Sequence, residues 1–142
     1  MSELLRAVLD KSCIYSNPAF YTAEMAYVAA SNAPQTTYVE IKADKYFLIT
    51  SISFTNFSTA GGGTSAPAFG KYQIRRSRSS QSLFPFPLNP SYFGSASDRE
   101  VFTLPHYIFC DPNDLLEITF QPDLIAANRI FSLTFNGIEY GK

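Results

Sequence analysis

Few residues in this chain could do chemistry, and their spacing argues against catalysis. There is one histidine, His106, set between Pro105 and Tyr107. Cys110 follows it by four positions. In an extended strand the two side chains share a face but stand about 13 Å apart, too far for a thiolate–imidazole pair. No G-x-S-x-G elbow presents a serine nucleophile. Structural zinc needs about four N or S ligands, and one histidine with two separated cysteines does not supply them. "DPNDLLE" places acids at 111, 114 and 117 without the spacing of a calcium loop. Gly61, Gly62 and Gly63 are not followed by the Lys-Ser/Thr pair of a phosphate loop. The reading is therefore of a non-enzyme with no catalytic residue, no metal and no cofactor.

Binding chemistry has one candidate, "RRSRSS", where Arg75, Arg76 and Arg78 could grip phosphate through bidentate contacts. Single-strand binders interleave exposed aromatics with basic residues on one sheet face. Here the arginines cluster at a strand end, and the next aromatics stand among prolines in "LFPFPLNP". The net charge of −1 gives the molecule no general pull toward polyanions. The charge is uneven, however: residues 46–97 carry four basic groups and no acid, whereas residues 98–142 carry seven acids and three basic groups. Arginine–carboxylate contact between copies is the expected use of the cluster, and nucleic acid is set aside.

These residues need elements to hold them, and the sequence points to strands. With 13 Phe and 9 Tyr but no Trp, the composition favours pleated surfaces. From Thr36 onward the apolar period is two. Thr37, Val39 and Ile41 alternate with Tyr38, Glu40 and Lys42; Leu48, Ile52 and Phe54 alternate with Ser51, Ser53 and Thr55. After the loop-like "STAGGGTSAPAFG", Tyr72 and Ile74 share a face. "LFPFPLNPSYFG" lacks ladder donors at Pro85, Pro87 and Pro90, so it is expected as an extended edge. "REVFTLPHYIFC" reads as a strand broken at Pro105. "DPND" at 111–114 is a turn: Asp opens it and Pro presets φ. Leu116, Ile118 and Phe120, then Phe131, Leu133 and Phe135, alternate with polar neighbours in the last two strands. Seven or eight short strands separated by turn signals predict an antiparallel β-sandwich or jelly roll over 36–142.

Residues 1–35 read differently, as an N-terminal arm, extended or partly helical. Leu4, Leu5, Val8 and Leu9 fall on one helical stripe. Residues 14–35 mix Pro, Asn and Ser with scattered aromatics, and only a helical turn or short strand is expected near 23–30. Such a stretch suits a segment lying across the body or across a neighbouring copy, and deleting 1–35 should leave the sandwich folded. The N-terminus has no basic region before its apolar part, unlike a signal peptide. No apolar run approaches the roughly 18 residues of a membrane span. The two thiols read as small buried hydrophobes, with a Cys13–Cys110 bridge left open.

The order of "ADKYFLITSISF", a Gly-rich loop, "YQIRRSRSSQSLFPFPL…FG", "FTLPHYIFCDPNDLLEITF" and "IFSLTFNGIEYG" resembles the small jelly-roll or β-sandwich virion proteins of tailed bacteriophages. The resemblance covers about three quarters of the chain. It implies a structural role, as a capsid decoration or cement protein or as a neck or tail accessory subunit. Its expected partners are copies of itself, as a trimer or ring, and major capsid or neck/tail proteins. Its expected place is the virion, after synthesis in the host cytoplasm. The interface candidates are Leu5, Val8, Leu9, Arg75, Arg76, Arg78, Phe84, Phe86, Tyr92 and Phe93. The rival reading is a glycan- or receptor-binding module of a phage fibre or spike, with Tyr92, Phe93 and Tyr107 as its platform.

Overall fold

Side chains alternating between a packed and a solvated face are the signature of a half-buried strand, and that alternation marks much of the eight-stranded structure. The structure is a computed structural model that describes residues 15–27, 33–58, 70–84, 99–122 and 129–141. The strands are β1 (Tyr15–Tyr27), β2 (Gln35–Glu40), β3 (Lys45–Ser58), β4 (Gly70–Arg76), β5 (Gln81–Ser82), β6 (Arg99–Cys110), β7 (Leu115–Pro122) and β8 (Arg129–Gly141). They form two four-stranded sheets, ordered β1-β8-β3-β6 (sheet A) and β2-β7-β4-β5 (sheet B). All the pairings are antiparallel.

The order has a simple logic. β1 pairs with β8, β2 with β7, β3 with β6 and β4 with β5, so the chain is one long hairpin with its tip between β4 and β5. Rolling that hairpin joins β3 to β8 and β4 to β7, which makes two sheets. This is the eight-stranded jelly roll. Between the sheets lie Phe47, Ile49, Ile52, Phe54, Tyr72, Ile74, Leu116, Ile118, Phe120, Phe131, Leu133 and Phe135. Phe120 is the hub: it stacks on Tyr72 with centroids 4.2 Å apart, tilts against Phe131 at 4.6 Å and meets Tyr27 edge-on at 5.8 Å. Burying each such ring contributes about 2–3 kcal/mol.

The expected boundary at residue 35 does not hold for Tyr15–Tyr27, which is a full strand paired along its 13 residues with β8. It alternates after all: Ala23, Met25 and Tyr27 are buried, Ala19 and Tyr21 pack against the core, and Phe20, Thr22, Glu24 and Ala26 face solvent. Small alanines inward and a phenylalanine outward hide this period from composition. A sandwich cut at residue 35 would lose one edge of sheet A. Pro18 is tolerated because that edge needs no donor. Pro105 does not break β6 either. β6 is the other edge of sheet A, and between the pairs Ser51↔Thr103 and Ile49↔Ile108 it bulges, with Pro105, His106 and Tyr107 exposed. The short helix expected over the first 13 residues, with Leu5, Val8 and Leu9, lies outside the described residues, as do residues 85–98.

The two ends of the sandwich differ. Four-residue turns, 41–44, 77–80 and 111–114, close one end. The longer connections 28–34, 59–69, 83–98 and 123–128 all join strands at the opposite end.

Candidate functional site

β4 carries the arginine cluster, and its alternation sets the direction of each side chain. Tyr72 and Ile74 point into the core, while Lys71, Gln73 and Arg75 point outward. Register places Arg75 directly opposite Glu117 on β7. Its Nε and Nη2 donate to Glu117 Oε1 at 2.9 and 2.5 Å. Arg76 lies at the tight-turn end and reaches across the sandwich. It donates from Nη1 to Asp114 Oδ2 and from Nη2 to the carbonyl of Phe109, which belongs to sheet A. The same Asp114 oxygen accepts the Asp111 N–H at 2.9 Å. Arg76 thus ties β4 to the 111–114 turn and to β6. Charge-assisted contacts at a partly buried site outweigh neutral ones.

The sequence reading gave Arg75 and Arg76 a neighbour's carboxylates; in the structure each holds a carboxylate of its own chain. The complementary acids stand 42 and 38 positions away, and only register brings them together. Arg78 is exposed in the 77–80 turn, and among the described residues no ion pair involves it. Phe84 is half-buried and packs against the main core. Phe86, Tyr92, Phe93, Leu5, Val8 and Leu9 lie outside the described residues. His106 is exposed on the bulge whereas Cys110 is buried, so the two form no pair; among the described residues Cys110 carries a free thiol, and Cys13 lies outside them. Burial pushes the Cys110 thiol up to about 12, with the Arg76 guanidinium pulling the other way. Among the described residues no group of three or more His, Cys, Asp or Glu could hold a metal ion.

The sequence reading named Tyr107 as an exposed platform candidate but missed the other exposed aromatics among the described residues. Phe20 is 71 % exposed, Tyr38 and Tyr107 55 % each, and Phe109 37 %. All four stand on edge strands: Phe20 on β1, Tyr38 on β2, Tyr107 and Phe109 on β6. β1 and β2 pack against each other, so the strands carrying Phe20 and Tyr38 run along one flank, with the two rings on the outer faces of opposite sheets, and β6 lies at the far edge of sheet A. Tyr38 was legible, because it alternates with Val39 on a strand whose other outward residues are polar. Phe20 was not, because β1 itself was not.

No protein-family model matches the chain, and no curated protein matches it. Several solved structures resemble it loosely. The Drosophila NLP-core, from a study of pentamer formation and histone binding, is 11 % identical with a TM-score of 0.37, over 84 % of this chain and 96 % of that one. The decameric BFDV capsid protein is 10 % identical with a TM-score of 0.40, over 90 % of this chain and 99 % of that one. The Desmodium yellow mottle tymovirus protein is 9 % identical with a TM-score of 0.35, over 90 % and 89 %. The jelly-roll assignment rests on the strand order given above.

Proposed function

We infer that the chain is a non-enzymatic structural subunit of a virion, working through contacts between copies. The observation that carries this reading is the placement of the exposed aromatics on both flanks. Aromatic rings on rigid edge strands supply contact area at little cost in side-chain entropy, and such residues are enriched at interfaces. Two different aromatic flanks suit a side-by-side contact, in which Phe20 and Tyr38 of one copy meet Tyr107 and Phe109 of the next. A heterologous contact of that kind closes into a ring or tiles a surface. Within this class, the sequence resemblance to tailed-phage virion proteins favours capsid decoration or cement first, and a neck or tail accessory role second. The expected partners are further copies and the major capsid or neck/tail proteins, and the expected place is the virion. With Arg75 and Arg76 engaged inside the chain, nucleic acid is no part of this function.

The test is the mass of the purified protein in solution, with and without Phe20→Asp and Tyr107→Asp. A ring or small oligomer that either substitution reduces to monomer supports the reading, as does addition of the protein to particles lacking it. A monomer at high concentration that also ignores such particles sinks it.

One observation favours a second reading, a glycan- or receptor-binding module. Tyr38 stands on a flat polar face with Thr36, Thr119, Gln73 and the Arg75–Glu117 pair around it. An exposed ring bordered by hydroxyl, amide and carboxylate groups fits a sugar face. Saturable binding to host-surface polysaccharide, abolished by Tyr38→Ala in a monomeric protein, would favour it over the assembly reading.

A further inference from the structure

Sheet A ends in two edge strands, β1 and β6, and only one of them is blunted. β6 bulges over 105–107, and Arg76 Nη2 holds the carbonyl of Phe109. β1 pairs with β8 along all 13 residues without a bulge, and among the described residues no strand pairs with its other side. It carries no lysine, and Pro18, Phe20, Thr22, Glu24 and Ala26 are all exposed. A long, straight edge of this kind is a template for another strand.

Three contacts fix which groups face that open side. In an antiparallel ladder one residue's N–H and C=O point to one neighbour, and the next residue's point to the other. The Ala26 carbonyl accepts Gln35 Nε2 at 3.0 Å from the opposite sheet, so Ala26 faces away from β8. Pro18, with no N–H to give, falls in the same phase. Carried through the register across β8 and β3, that phase turns the Phe109 carbonyl outward on β6, where Arg76 meets it. The open edge of β1 therefore presents the N–H and C=O of Phe20, Thr22 and Glu24. On one side of them stands a residue without a donor, and on the other a carbonyl already served.

Those two end residues select a second copy of β1 and one register. When two β1 strands meet antiparallel about a two-fold axis at Thr22, Thr22 faces Thr22, Phe20 faces Glu24 and Pro18 faces Ala26. The donor that Pro18 lacks is then the one that Ala26 does not need, because Gln35 supplies it. A shift of two residues one way puts Pro18 opposite the carbonyl of Glu24, which is left without a donor. The same shift the other way aims the Phe20 N–H at the carbonyl that Gln35 holds. The side chains fit this register. Thr22 and Thr134 bring their hydroxyls within 3.0 Å and Ser53 faces Thr134, so the pair continues one hydroxyl row through both copies. The two Glu24 carboxylates stand four positions apart along the strands, about 13 Å, rather than face to face.

We propose that the free protein forms a two-fold dimer in which β1 adds to β1, joining the two A sheets into one centred on Thr22. The proposal does not rest on the subunit reading, because two copies can pair whatever particle they serve. A copy in this pair withholds its β1 flank from the side-by-side contact, so the pair parts when that contact forms.

Cross-linking and sedimentation of the full chain test it. In a Cys13→Ser background, mild oxidation should join Thr22→Cys chains to one another. Glu24→Cys chains alone should stay separate, whereas a mixture of Phe20→Cys and Glu24→Cys chains should join. Sedimentation should show a dimer whose dissociation constant rises about 100-fold in Thr22→Pro, which removes the central donors. That proline spares the β8 ladder as Pro18 does, so the variant should stay folded. Thr22→Ala keeps the donor and should keep the dimer, and so should Tyr107→Asp, which breaks the side-by-side contact instead. A monomer without the Thr22→Cys cross-link overturns the proposal, as does a dimer that joins Glu24→Cys chains to themselves. A dimer lost in Tyr107→Asp but kept in Thr22→Pro overturns it too, and leaves the side-by-side reading standing. If Thr22→Pro does not fold, the cross-links decide.

Discussion

Gly137 lies so close to the backbone of Leu48 that a β-carbon there would stand 1.8 Å from the Leu48 carbonyl oxygen. The cause is the irregularity in β3, where Ile49 faces Gly137 but Ser51 faces Asn136, leaving Thr50 as an extra residue. A bulge brings one strand's backbone toward its neighbour, and only a residue without a side chain fits opposite. Gly137→Ala cannot be relieved by a rotamer change, because the obstacle is main chain. Loss of about 3 kcal/mol or more is expected in urea titration, in the range of severe backbone clashes. A loss under about 0.5 kcal/mol, typical of a surface change, would show that the bulge is not where the register puts it.

Arg76 and Arg75 look interchangeable in "RRSR", yet they should differ in effect. Arg75 is 43 % exposed and pairs with one carboxylate, so solvent screening limits Arg75→Ala to about 0.5 kcal/mol. Arg76 is less exposed and bonds a carboxylate and a carbonyl on the other sheet, so its removal takes the charged partner from Asp114 and a donor from the Phe109 carbonyl. Arg76→Ala should lower stability by about 2 kcal/mol. A double-mutant cycle with Asp114→Ala should return a coupling energy well above that of Arg75 with Glu117→Ala. Equal couplings would mean that Arg76 does not join the sheets.

How far this was legible in the sequence follows from where each partner stands. The 111–114 turn could be read from four adjacent residues, and it forms as read: Asp114 N–H donates to the Asp111 carbonyl at 3.1 Å, and Asn113 takes a φ of 64°. β7 and β8 were legible because their inward residues are large and their outward ones mostly polar. β1 was not, because its partner β8 lies at the far end of the chain and its inward face mixes alanine with tyrosine. Arg76 shows the same limit. A sequence shows a charge and its neighbours, but the fold chooses the carboxylate it meets.

Alkaline stability should expose the buried thiol. Cys110 is pushed up to about 12 by burial, and burial also raises Tyr72, Tyr27 and Tyr21. An unfolded thiol titrates at about 8.5 and tyrosine at about 10. A group raised in the folded state holds its proton longer than in the unfolded chain, so its contribution is whole below the unfolded value and lost as pH rises through the folded one. Between about pH 9 and pH 10 the thiol acts ahead of the tyrosines, with a slope approaching about 1.4 kcal/mol per pH unit. Urea titrations of Cys110→Ala should show a lower stability at pH 8 but a flatter decline across that window. An identical decline would mean that Cys110 is not buried in the folded protein.

Tyr27 carries the last prediction, because it joins the two sheets from the strand that the sequence hid. Its hydroxyl donates to the Phe120 carbonyl at 2.8 Å, and its ring meets Phe120 and Phe131 edge-on at 5.8 and 5.6 Å. Tyr27→Phe keeps the ring but leaves a buried carbonyl without this donor, which should lower stability by about 1–2 kcal/mol. Tyr27→Ala also loses the ring contacts and opens a cavity beside the hub of the core, so about 3–5 kcal/mol is expected. Deleting residues 1–35 removes the strand altogether and uncovers the β8 ladder, so that protein should show no cooperative unfolding transition. A truncated protein that melts sharply near the full-length temperature would return β1 to the role of a dispensable arm.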